Sequence, residues 1–162
     1  MKRGGCLCGA VRYRITGRLR PVVNCHCGQC RRFHGHYGAY AAALHESFTL
    51  ERADGLAWYD SSEIARRGFC RVCGSSLFWE AKGGHIISIA AGTLDQPTGL
   101  QTIGHIFTRD LADYYRIDDG LERLPEGMAT ASTSSRLRFA LDIPDEDVPV
   151  AGPERPQQKN GR

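Results

Sequence analysis

Gly5-Cys6-Leu7-Cys8-Gly9-Ala10-Val11-Arg12-Tyr13-Arg14-Ile15 is the stretch from which the fold class follows. Its first half sets two thiols two residues apart between glycines, so that in an extended backbone both side chains leave by one face and reach one ion. Its second half alternates, with Val11, Tyr13 and Ile15 on one side and Arg12 and Arg14 on the other, which is the period of a half-buried strand. A cysteine pair running into a strand predicts a β structure fastened by metal. Gly17 ends the strand.

Further along, Cys25-His26-Cys27-Gly28-Gln29-Cys30 packs three thiols into six residues, directly before Arg31 and Arg32. Cys70-Arg71-Val72-Cys73-Gly74 adds a pair with the two-residue gap and following glycine that turn both thiolates toward one ion. Seven cysteines are an odd number, which argues against a fully paired disulfide framework; in a reducing compartment thiols serve metals or catalysis. Groups of two, three and two divide naturally as four plus three. Cys6, Cys8, Cys70 and Cys73 then close a tetrahedral zinc site that contributes folding energy. Cys25, Cys27 and Cys30 are left one ligand short. Spacing leaves the fourth position open to an exchangeable ligand or filled by His26, His34 or His36, and a metal-free cluster of reactive thiols is the third reading.

The rest of the chain reads as strands and turns. Ala39–Leu44 has helical propensity, but it is short, follows Gly38 and precedes the strand-like Phe48–Glu51, so strand is preferred. Leu56–Tyr59 follows the turn Asp54-Gly55, and Ile64–Phe69 runs into the next cysteine pair. Ser76–Glu80 and Ile86–Gly92 flank Lys82-Gly83-Gly84 as a hairpin, Thr102–Phe107 is a further strand, and Arg109–Leu124 is ambiguous between short helix and coil. The 162 residues are predicted to form a single domain over 1–143 and a mobile tail over 144–162 that is rich in Pro, Gly, Gln and charge.

With 41% hydrophobic and 24% charged residues the composition is that of a globular domain. Twenty-one Lys and Arg against 18 Asp and Glu leave +3, too even a balance for a nucleic-acid face. No apolar segment follows the basic start and none is long enough to span a membrane, so a cytoplasmic protein is expected. Beyond the cysteines, Phe33-His34-Gly35-His36-Tyr37-Gly38 is a candidate pocket wall. His105 lies mid-strand, where a hydrogen-bonded core histidine is the commoner case, and Asp95 is placed for a turn or cap. Arg31 and Arg32 are solvated charges or a clamp for a substrate carboxylate.

Gly5-Cys6-Leu7-Cys8-Gly9, Cys25-His26-Cys27-Gly28-Gln29-Cys30-Arg31-Arg32, Phe69-Cys70-Arg71-Val72-Cys73-Gly74, Gly92-Thr93-Leu94-Asp95 and His105-Ile106-Phe107 together resemble the glutathione-dependent formaldehyde-activating enzyme family, which includes centromere protein V. The resemblance implies a mainly β fold of antiparallel sheets stapled by zinc, similar to methionine-R-sulfoxide reductases and Rab-binding zinc chaperones. It implies two zinc ions, a structural one on Cys6, Cys8, Cys70 and Cys73 and a catalytic one on Cys25, Cys27 and Cys30. It also implies a carbon-sulfur lyase acting on a small thiol, such as glutathione, and an aldehyde, such as formaldehyde. Cys27, His34 and His105 are the candidate catalytic residues, with His36 a further candidate proton carrier. The competing reading is a non-catalytic zinc-binding or chaperone-like module with two closed sites. A chromatin role needs a basic extension, and the tail supplies only Arg155, Lys159 and Arg162.

Overall fold

The computed structural model describes residues 1–128 and Leu137, so the expectation for 144–162 lies outside the described residues. Two sheets face each other. The smaller has the order β1-β2-β5 and comprises Lys2–Gly5, Arg12–Ile15 and Phe48–Arg52, all antiparallel. The larger has eight strands in the order β11-β10-β3-β4-β9-β8-β7-β6. Its members are β3 (Arg20–Cys25), β4 (Gly38–Leu44), β6 (Leu56–Asp60), β7 (Ala65–Cys70), β8 (Ser76–Ala81), β9 (Ile86–Ala90), β10 (Thr102–Ile106) and β11 (Glu122–Arg123). Pairing is antiparallel except where β10 runs parallel to β3 and to β11. One helix, α1 (Gly28–His34), is inserted between β3 and β4. No helix among the described residues is long and apolar enough to cross a membrane.

The core forms where the small sheet covers the large one. Val11, Tyr13 and Ile15 are completely buried, as their alternation predicts, against Leu77, Phe78, Ile87 and Ile89 from β8 and β9. The Tyr13, Phe48 and Phe78 rings pack with centroids 5.2–5.5 Å apart. Burying a tyrosine requires a partner for its hydroxyl, and Tyr13 Oη finds Thr93 Oγ1 at 2.7 Å. Gly4 makes this possible, since a Cβ there would sit 2.3 Å from that hydroxyl.

The alanine run is strand β4, with Ala41, Ala42 and Ala43 buried, because cover on both faces overrides the helical propensity of alanine. The predicted hairpin is β8–β9, paired Phe78 to Ile89, although its second strand stops at Ala90 and Ala91–Thr93 forms a 3-10 turn. The Arg109–Leu124 segment is mostly loop, entered through the 3-10 turn Thr108–Asp110 and left through β11. One expectation is corrected: Cys6 and Cys8 are not on an extended strand. β1 ends at Gly5, and Leu7-Cys8 forms a turn closed by the Gly9 amide donating to the Cys6 carbonyl, which brings the thiols together by folding back.

Candidate metal centres

The four-cysteine group sits where the sheets meet at one end. Cys6 and Cys8 come from the turn after β1; Cys70 ends β7, and Cys73 follows in a turn whose Gly74 amide donates to the Cys70 carbonyl. Gly74 is left-handed, with φ of 76°, as that reversal requires. All four sulfurs lie within 4.8 Å of one another, with Cys6 to Cys8 at 3.6 Å and Cys8 to Cys70 at 3.8 Å. Four sulfurs about 2.3 Å from a central zinc ion would be separated by about 3.8 Å, so the set fits a tetrahedral ion. None of the seven cysteines is in a disulfide. The Val11 amide donates to Cys6 Sγ at 3.2 Å, and Ser75 Oγ lies 3.2 Å from Cys73 Sγ. Hydrogen bonds from Ser75, first its hydroxyl and then its amide, hold the Cys73 thiol down at about 5.

The three-cysteine group is built at a strand-to-helix junction. Cys25 is the last residue of β3, Cys27 caps α1, and Cys30 is buried in its first turn. The cap is a thiol where serine or aspartate is usual: the Cys30 amide donates to Cys27 Sγ at 3.4 Å. The three sulfurs lie within 4.8 Å of one another, with Tyr40, Trp79, Ala90, Ile106 and Phe107 packed around them. Hydrogen bonds from Cys25 and then Cys30 pull the Cys27 thiol down to about 2, with the Cys30 and Gln29 amides assisting. Hydrogen bonding with Cys27 and then Cys30, followed by burial, pushes Cys25 far up. A divalent ion lets all three thiols ionise, and soft, closely spaced sulfurs suit zinc or another thiophilic metal.

Among the described residues, no histidine joins the three-sulfur group. The candidate fourth ligands are engaged elsewhere. His26 turns its Nδ1 to Tyr115 Oη (2.5 Å) and its Nε2 to His105 Nδ1 (2.9 Å). His34 Nε2 bonds Tyr40 Oη at 2.7 Å, and His36 Nδ1 bonds Tyr114 Oη at 3.0 Å. Burial first, then the neighbouring charge of Arg67, lowers His34 to about 4; burial, then His105 and His36, does the same for His26. Both rings are neutral near pH 7.

His105 is buried but belongs to a chain of four groups. Its Nε2 reaches the half-exposed carboxylate of Asp119 at 2.8 Å. An ionised carboxylate only accepts, so His105 Nε2 carries a proton, and in the neutral ring its Nδ1 accepts from His26 Nε2. His26 Nδ1 in turn accepts from Tyr115. All three hydrogen bonds thus point one way, from Tyr115 through His26, which adjoins Cys25 and Cys27 in the chain, to Asp119 at the surface.

Asp95 is placed differently from the turn or cap expected: it forms a two-pronged pair with the Arg12 guanidinium. Arg31 and Arg32 occupy the last turn of α1, where cations complement the helix end. Sequence reading gave no place at the site to Tyr115, Asp119 or Arg67, which the structure brings beside His26, His105 and Cys30.

A family model described as glutathione-dependent formaldehyde-activating enzyme matches residues 1–110. A crystal structure of a Rhodobacter sphaeroides protein is similar to this chain, with 24% identity and a TM-score of 0.53 over 64% of this chain and 98% of that one. No curated protein matches the chain significantly.

Proposed function

Because the chain belongs to the glutathione-dependent formaldehyde-activating enzyme family, we propose that it is a zinc-dependent carbon-sulfur lyase of the cytoplasm that joins a small thiol to an aldehyde, with glutathione and formaldehyde as the first pair to consider. The observation that carries this reading is the three-sulfur group with its neighbouring histidines all bonded elsewhere. A zinc ion held by Cys25, Cys27 and Cys30 would supply Lewis acidity and a template for thiol and carbonyl. A second zinc on Cys6, Cys8, Cys70 and Cys73 would be structural.

In the reaction the thiol sulfur adds to the carbonyl carbon. The S–H proton leaves, the carbon-sulfur bond forms, the carbonyl π bond opens, and its oxygen takes up a proton. Cys27, the ligand whose thiolate forms most readily, anchors the centre. Tyr115 and His26 are placed to take and return the proton, and His105 with Asp119 fixes the tautomer that lets them do so. His34, bonded to Tyr40, orients the wall behind α1.

The test is a panel of thiols and aldehydes, glutathione and formaldehyde first, with adduct exchange followed by NMR on zinc-loaded and metal-free protein. Zinc-dependent acceleration is expected; no response to any thiol would favour a closed zinc-binding module. Asp119→Ala is expected to slow exchange at least about tenfold by freeing the His105 tautomer. Asp119 is a surface residue, so metal content and melting temperature should hold. Unchanged exchange would remove the four-group chain from the mechanism.

A further inference from the structure

Arg66 and Arg67 are consecutive on β7 and face opposite ways. Arg66 pairs with Glu80 and lies 4.2 Å over the Trp58 ring, an ordinary arrangement for a strand arginine. Arg67 is only 3% exposed, and among the described residues no carboxylate lies within ion-pairing distance of it. Its Nη2 lies 3.6 Å from Cys30 Sγ and 3.4 Å from Gln29 Oε1, its Nη1 3.3 Å from Tyr40 Oη, and its guanidinium 5.2 Å from the Phe33 ring centroid. Amide, phenol and ring can solvate a guanidinium, but they do not cancel its charge.

Burying a cation is strongly unfavourable unless an anion lies beside it. Among these neighbours the Cys30 thiol is the one that becomes anionic when it binds a metal ion. Three thiolates around a divalent ion sum to one negative charge, which one guanidinium balances. Among the described residues no guanidinium hydrogen-bonds to the four-cysteine sulfurs; their donors include the Val11 amide and the Ser75 hydroxyl and amide.

We propose that Arg67 is the charge-balancing residue of the three-cysteine centre, so that this centre, unlike the four-cysteine one, depends on a buried guanidinium to hold its divalent ion. The inference rests on the zinc assignment above and deepens it. By hydrogen bonding to Cys30, Arg67 withdraws electron density from that sulfur and offsets part of the loss of Lewis acidity that three thiolates impose. Arg67 is a positioning residue: it acts through Cys30 and the ion.

The experiment compares the zinc-loaded full chain with Arg67→Met and Arg67→Lys by competition against a chromogenic chelator, with circular dichroism as the fold control. In Arg67→Met one of the two ions should be held at least about tenfold more weakly, while the other keeps its wild-type affinity. Arg67→Lys, which preserves the charge, should restore most of that loss. Both ions retained at wild-type affinity in a folded Arg67→Met, or both weakened alike, would overturn the proposal. If Arg67→Met does not fold, Arg67→Lys decides: retention of the second ion supports charge balance, and its selective loss refutes it. Metal retention is read without turnover, so selective weakening in a protein inactive toward every thiol would uphold Arg67 and reject the enzyme reading. Turnover together with unaltered retention would do the reverse.

Discussion

Cys70→Ser is expected to leave a chain without a cooperative thermal transition. Cys70 is completely buried at the end of β7, and the backbone closes over its sulfur: a Cβ at Gly55 would come within 2.9 Å of Sγ. Serine fits there sterically, but its hydroxyl is a poor ligand and would leave a three-sulfur remnant in a buried site. Structural zinc contributes about 10–16 kcal/mol to small metal-dependent domains. A whole domain is stable by only about 5–15 kcal/mol, so losing even a third of the metal term removes much of the margin. The consequence is also topological, since the four thiols join the end of β1 in the small sheet to β7 in the large one. Without them the cover over Tyr13 and Phe78 is held by packing and by a few polar ties such as Tyr13 to Thr93 and Arg12 to Asp95. Near-UV circular dichroism on heating checks this; a sharp transition within a few degrees of wild type would mean that the four-cysteine centre does not hold the fold.

Cys27→Ser is expected to do the opposite, abolishing thiol-dependent turnover while preserving the fold. Cys27 is half-buried and its structural duty is to cap α1 by accepting from the Cys30 amide. Serine is among the best N-cap residues, so the helix start should be unharmed to within about 1 kcal/mol. What is lost is the thiol whose thiolate forms most readily, and with it the centre's third sulfur. Metal content should fall from two ions toward one and turnover to the level of the metal-free protein. Two ions retained with full turnover would show that Cys27 is not a ligand. Equal loss of fold in Cys27→Ser and Cys70→Ser would erase the distinction between the two centres.

Much of this was legible in residue order. Val11, Tyr13 and Ile15 announced a half-buried strand because period-two alternation has one physical meaning when one face is covered. The four-plus-three grouping was legible because so few bonds separate Cys25 from Cys30, or Cys70 from Cys73, that each set must share a neighbourhood. Helix α1 was not legible: it has only seven residues, no apolar periodicity, and a cysteine where a conventional cap would signal its start. Strand β3 hid behind Pro21 and the buried polar residues Arg20 and Asn24. The chain from Tyr115 to Asp119 was beyond reach for a different reason. Its members lie 79 and 89 residues from His26, brought together by the parallel pairing that sets His105 beside Asn24, and by the loop after β10 folding back. Arg67 was not legible within Ile64–Phe69, since sequence does not say which of two consecutive strand residues faces inward.

The four-cysteine junction also imposes an order on biosynthesis. Cys8 and Cys70 are 62 residues apart, so at elongation rates of about 5–20 residues per second the first pair leaves the ribosome some 3–12 s before its partners. Cys25, Cys27 and Cys30 emerge together and are complete within a second or so of synthesis. The three sulfurs assigned to chemistry are thus together early, with Arg67, 37 residues beyond Cys30, following about 2–7 s later, while the centre assigned to architecture must wait with Cys6 and Cys8 exposed to oxidants and to competing ions.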